Sequence, residues 1–190
     1  FYTATAWGNA PIIEKEMLPM LAGYAFTPWN PDPDFVQGPT DEYIFRALHS
    51  DQPEKGEYNP IDYPLAFCEM GGGIQITYHH RPVVPPESVE AMAVVKIGSG
   101  SNLIGYYMYH GGTNQIGAGG VFMNEFTVPK LSYDFQAPIR EFGQIAESYR
   151  SLRALHMFLH DFGHTLAPMK TIIPEGGDQI EPQDHETLRY

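Results

Sequence analysis

Tyr63-Pro64-Leu65-Ala66-Phe67-Cys68-Glu69-Met70-Gly71-Gly72-Gly73 reads as an apolar strand that runs into a carboxylate and then three glycines. A continuous apolar run of this length is what a strand covered on both faces looks like, and such strands belong to parallel sheets. The glycines let the backbone turn sharply after Glu69 and leave its carboxylate uncovered. In parallel α/β folds, reactive groups gather at the carboxyl ends of strands. A solvated loop glutamate is the plain alternative, and the strand-Glu-Gly-Gly-Gly context favours the functional reading over it.

The same alternation recurs on either side. Upstream, Tyr2-Thr3-Ala4-Thr5-Ala6-Trp7 is β-prone, is closed by Gly8-Asn9, and precedes helical spacing from Glu14 to Leu21. Leu21 to Phe26 is a weaker strand candidate, followed by the proline-broken stretch Thr27-Pro28-Trp29-Asn30-Pro31-Asp32-Pro33. Thr40 to His49 reads as a helix capped by Thr40. Downstream, Pro85-Pro86-Glu87-Ser88 opens a helix that stops near Gly98-Ser99-Gly100, and Leu103 to Tyr109 is the last strand. A helix from about Ile139 to Phe162 follows, with Glu141 expected at its start and Gly163 at its end. Strand, long loop and helix in alternation point to an α/β fold with a parallel sheet.

Composition narrows the function classes. The 190 residues carry 11 Lys and Arg against 23 Asp and Glu, a formal net charge of −12. That balance argues against nucleic acid and against an anionic membrane surface, both of which need a basic footprint. No apolar run is long enough to span a bilayer. A lone Cys68 forbids an intrachain disulfide, and its place in an apolar strand suits a small buried hydrophobe. With 11 Phe, 12 Tyr and 2 Trp, the chain is well supplied with aromatic surfaces for neutral polar ligands such as sugars. The strand end Tyr106-Tyr107-Met108-Tyr109-His110-Gly111-Gly112-Thr113-Asn114 sets an aromatic wall beside hydrogen-bonding side chains, which fits a sugar ring.

That last stretch, with Leu131-Ser132-Tyr133-Asp134-Phe135-Gln136-Ala137-Pro138 and Glu141-Phe142-Gly143 after it, resembles the signature of glycoside hydrolase family 35, the β-galactosidases. There, "YYMYHGGTNFG" is followed by "TSYDYDAP" and "EYG". The opening Tyr2 to Gly8 and Cys68 to Gly73 also resemble larger bacterial members, so the likeness covers nearly everything before about Lys170.

The resemblance implies a (β/α)8 TIM barrel, of which residues 1–170 supply roughly the second half, strands five to eight, with 171–190 an acidic tail or linker. It implies a retaining exo-glycosidase acting on terminal β-D-galactosides through a covalent glycosyl-enzyme. Glu69 matches the nucleophile at the end of strand seven. Tyr107 matches a strand-eight tyrosine near the sugar, and Tyr133 a tyrosine of the substrate pocket. Trp7 and Asn114 are further candidates for sugar contact, with Trp29 a possible second pocket wall. Two departures stand out: Phe135 and Gln136 replace the second Tyr and the Asp of the family loop, and no Trp follows Glu69. They bear on substrate more than on fold.

A retaining mechanism needs a second carboxyl about 5 Å from the first, and the family's acid/base Glu is expected upstream of Tyr2. A complete barrel takes about 250 residues, so the expected partners are a β-galactoside or related oligosaccharide and the remaining half of the barrel. The isolated piece is expected to be inactive. No metal or organic cofactor is implied, and export to the periplasm or outside the cell is. Asn124-Glu125 imitates an acid/base pair but follows the nucleophile strand, and is read as a loop element. His156 and His160 share a helical spacing suited to metal ligands, but no HExxH glutamate lies between them; a structural role is favoured. His79-His80-Arg81 lies in the loop after Glu69, within reach of the pocket or in solvent. The alternative to an enzyme is a carbohydrate-binding barrel segment without turnover.

Overall fold

A computed structural model describes residues 1–4, 12–25, 58–59, 62–76, 81–120, 124–125, 128–129, 131–172 and 175–176. Four strands form one sheet: β1 (Tyr2–Ala4), β2 (Leu18–Gly23), β3 (Ala66–Gly71) and β4 (Leu103–Tyr107). They lie in chain order, and every neighbouring pair is parallel. A sheet of this kind is what repeated strand-to-strand crossovers produce. Between β3 and β4 the crossover is a helix, α1 (Pro86–Gly98).

Helix α1 forms where the prolines place it, with Pro86 in the first turn, where an absent amide hydrogen costs nothing. Glu87 in its first turn and Lys96 in its last suit the helix dipole. Its buried side, Val89, Met92 and Ala93, meets the sheet. Lys96 is fully buried and sets its ammonium 4.4 Å from the centre of the Phe67 ring. Phe67, Met70, Val89, Ala93 and Leu152 form one core cluster on this face, joined by Ile104 and Tyr106 of β4.

Strand β3 is bulged. Phe67 and Met70, three residues apart, both face the helices, because an extra residue is accommodated between them against both β2 and β4. Gly105 of β4 gives the bulge room: a Cβ there would lie 3.0 Å from the Cys68 carbonyl oxygen.

Short antiparallel ladders cover the chain after β4. β5 (Gly112–Thr113) pairs with β8 (Ser132–Tyr133), and β6 (Asn124–Glu125) pairs with β7 (Val128–Pro129). The last helix, α2 (Glu147–Leu166), packs against α1 and buries Ser148 and Leu152.

Four local expectations need correction. Glu14 to Leu21 is not a helix: Lys15 adopts φ 64° in a turn, and the chain then enters β2. Glu69 lies inside β3 rather than beyond it. The last helix begins at Glu147, because residues 139–145 close on themselves first. Ile139 bridges both His110 and Ile145, and Gly143 takes φ 85° in the turn between. Glu141 is therefore in that turn. Gly163 does not end α2, which continues through His164 to Leu166. The expected helix over 40–49, the loop from Thr27 to Pro33 and most of the tail lie outside the described residues.

Candidate active site

The candidate residues gather in a second buried cluster, Tyr24, Ile74, Tyr133, Phe135 and Ala137, with Tyr107 and Met108 packed against it. Tyr24 of this cluster reaches the carboxylate of Glu69. Its hydroxyl donates a 2.7 Å hydrogen bond to Glu69 Oε1. Tyr24 follows directly after β2, and its ring lies over Gly71: a Cβ on Gly71 would stand 2.8 Å from the ring. A side chain at 71 would push the tyrosine off the strand and away from the carboxylate.

All three glycines after Glu69 are thus required for space. A Cβ on Gly72 would come within 2.2 Å of the Met108 carbonyl oxygen, and one on Gly73 within 2.2 Å of the Phe135 carbonyl oxygen. None of the three takes a left-handed backbone angle; what requires them is the close approach of a ring at Gly71 and of backbone at Gly72 and Gly73.

Tyr107 ends β4 opposite Gly71, and its hydroxyl donates to that of Tyr133 at 3.4 Å. Tyr133, in β8, is buried. Phe135 stands edge-on to Tyr107, with ring centres 5.2 Å apart, and lies 5.5 Å from the Tyr133 ring. The three rings pack on one another, Tyr107 edge-on to both others, and carry two hydroxyls. Asn114 is half-buried beside the β5–β8 ladder, and its backbone amide donates to the Leu131 carbonyl at 2.8 Å. Trp7, Trp29, His79 and His80 lie outside the described residues.

The loop that holds Tyr133 and Phe135 is tightly built. Ala137 N–H donates to the Asp134 carbonyl at 3.1 Å, closing a turn whose central residues, Phe135 and Gln136, have φ 58° and 53°. Such angles are costly for residues with side chains, and surrounding bonds must hold them. Asp134 supplies several: its carboxylate accepts from Arg140 Nε at 2.6 Å, from the Glu141 amide at 3.0 Å and from the Gln136 amide at 3.2 Å. Burial pushes the Asp134 pKa up, but the Arg140 guanidinium and the two amides outweigh it, and the carboxyl lies below its usual value. Glu141 accepts from the hydroxyls of Thr113 and Ser132, tying the turn to the β5–β8 ladder.

On the helix face, Tyr106 Oη and His156 Nε2 are 2.9 Å apart, with Tyr109 alongside. Burial raises the Tyr106 pKa and lowers that of His156. His160 is exposed beside Asp161. Among the described residues no group of three or more His, Cys, Asp or Glu is placed to hold a metal ion. Cys68 is half-buried with its Sγ 3.6 Å from the Leu21 carbonyl oxygen, and its thiol pKa is raised by burial and by the neighbouring Glu69.

Tyr24 is the partner of the candidate carboxylate that the sequence reading passed over. The signal was available, since Tyr24 closes a strand candidate and strand ends were the places searched.

Comparison with known proteins fits this arrangement. The family model "Glycosyl hydrolases family 35" matches residues 26–159. The chain is 31% identical to "Beta-galactosidase 3" of Oryza sativa subsp. japonica over 137 residues, 70% of this chain and 14% of that protein. It is 39% identical to "Beta-galactosidase 10" of Arabidopsis thaliana over 88 residues, 45% of this chain and 11% of that protein. The chain therefore spans about one seventh or less of the length of these relatives. With a family match over most of its length, a parallel sheet and a carboxylate at a strand end, this chain belongs to glycosyl hydrolases family 35.

Proposed function

We propose that Glu69 is the nucleophile of a retaining β-galactosidase, and that residues 1–170 form the second half of its (β/α)8 barrel. Glu69 attacks the anomeric carbon of a terminal β-galactoside while a second carboxyl, on a strand preceding Tyr2 in the full-length protein, protonates the departing oxygen. Water then cleaves the glycosyl ester with the second carboxyl as base, and two inversions give net retention. The relatives' much greater length supports placing the acid/base group in another part of the polypeptide.

The observation that carries this reading is the Tyr24–Glu69 hydrogen bond beside the cluster that Tyr24 shares with Tyr107 and Tyr133. A hydroxyl donating to Oε1 helps orient the carboxylate, and among the described residues Oε2 is left for attack. Tyr107, half-buried over the buried Tyr133 and Phe135, offers ring area for the C–H face of a galactose and a hydroxyl for its polar groups. In this reading Trp7 and Asn114 complete the rim.

The test is covalent trapping. Full-length protein incubated with a slow 2-fluoro-β-galactoside should carry one sugar, on the peptide containing Glu69. A label on another carboxylate removes the assignment, and binding of galactosides without any label or turnover favours a carbohydrate-binding segment.

A further inference from the structure

Gln136 stands where the family pattern has an aspartate, and its side chain makes three hydrogen bonds to backbone. Nε2 donates to the carbonyls of Ile74 at 3.1 Å and Pro82 at 2.9 Å, and Oε1 accepts from the Val84 amide at 3.2 Å. One amide group thus joins the turn carrying Tyr133 and Phe135 to two separate points on the segment that leaves β3 after Glu69. The same two pieces touch again at Gly73, where the Phe135 and Gln136 carbonyls crowd the glycine. Ile74 and Tyr133 belong to one buried cluster, so a shift at either end of this brace reaches the tyrosine. An aspartate is one methylene shorter and, when ionised, has no donors; it makes neither bond to the Ile74 and Pro82 carbonyls.

We infer that Gln136 is a positioning residue that sets where the Tyr133 hydroxyl stands relative to the Glu69 carboxylate, and thereby the affinity for the sugar. This rests on the reading of Glu69 and Tyr133 given above. Gln136 touches no substrate. It acts through Tyr133, and its replacement weakens sugar binding more than it slows the chemical step, because Glu69 keeps its own bond from Tyr24.

The experiment is a double-mutant cycle in the full-length enzyme with an aryl β-galactoside. Gln136→Met keeps length and bulk while removing all three bonds, and it should raise KM about tenfold with kcat changed less than about threefold. Tyr133→Phe should raise KM on its own. In that background Gln136→Met should add less than about twofold, since the group it positions is gone. An unchanged KM for Gln136→Met, or effects that simply multiply, would overturn the inference. A lower melting temperature with unaltered kinetics would do the same, leaving Gln136 a structural brace. Should Gln136→Met fail to fold, Gln136→Glu retains the acceptor facing Val84, loses the donors, and is judged by the same KM criterion. Labelling of the unmodified enzyme separates the two readings: sugar on Glu69 with an unmoved KM refutes this inference alone, whereas sugar elsewhere refutes the proposed function.

Discussion

Gly73→Ala adds one methyl group at the place where the nucleophile's strand meets the tyrosine loop. That methyl would sit 2.2 Å from the Phe135 carbonyl oxygen, 2.7 Å from the Gln136 carbonyl oxygen and 2.8 Å from the Gln136 carbonyl carbon. An unstrained carbon–oxygen contact needs about 3.3 Å, so the two backbones must separate by about 1 Å. No side-chain rotation can relieve a clash with backbone. The loop cannot yield by itself either, because Asp134, Arg140 and Gln136 fasten it on three sides. Overpacking of this kind costs about 1–3 kcal/mol of stability. A displacement of about 1 Å between Tyr133 and Glu69 should lower kcat/KM about a hundredfold. The assay is steady-state hydrolysis of an aryl β-galactoside by the full-length protein, with thermal melting in parallel. Gly98→Ala is the control: it ends α1, nothing lies within 4 Å of its added methyl, and it should be neutral or slightly stabilising. Wild-type kcat/KM and melting temperature in Gly73→Ala would refute the close approach on which the site is built.

Two further substitutions probe the same arrangement. Tyr24→Phe removes a hydrogen bond to an ionised group, worth about 1.5–3 kcal/mol, and should lower kcat/KM about ten- to a hundredfold while the trapped sugar stays on Glu69; unchanged kinetics would separate the tyrosine from the reaction. Asp134→Asn should destabilise the protein near neutral pH. Because the native Asp134 carboxyl titrates below its ordinary value of 3.8, its stabilisation is complete above that pH and is lost as pH falls through the lower native pKa. The melting-temperature gap between Asp134→Asn and wild type should therefore close on acidification, and a gap constant with pH would contradict the ion-pair account.

Much of the sheet was legible because its pattern is local. The apolar run before Glu69 and the aromatic strand before Gly111 announce β3 and β4, and Pro85-Pro86 announces α1. Strand β2 was hidden because Met17, Leu18 and Leu21 satisfy helical spacing. Pro19, now paired opposite Thr3, carried the contrary signal. The candidate carboxylate was legible as a strand-end Glu, but its hydrogen-bond partner was not. Tyr24 reaches Glu69 across 45 residues of chain through a sheet register that no local pattern encodes. Glu141 illustrates the same limit: its acidic character suited a helix start, whereas hydroxyls from Thr113 and Ser132 hold it in a turn. Gln136, conspicuous only as a departure from the family loop, acquires meaning once Ile74, Pro82 and Val84 are seen to converge on it.

Azide rescue of Glu69→Gly tests the central claim most directly. In the full-length enzyme this variant should hydrolyse an activated aryl β-galactoside at a small fraction of the wild-type rate, because no carboxylate remains to attack. Added azide should enter the vacated space, restore release of the aryl group and yield α-galactosyl azide, the product of a single inversion. Formation of the β-azide, or hydrolysis at the wild-type rate without azide, would show that the nucleophile is another group.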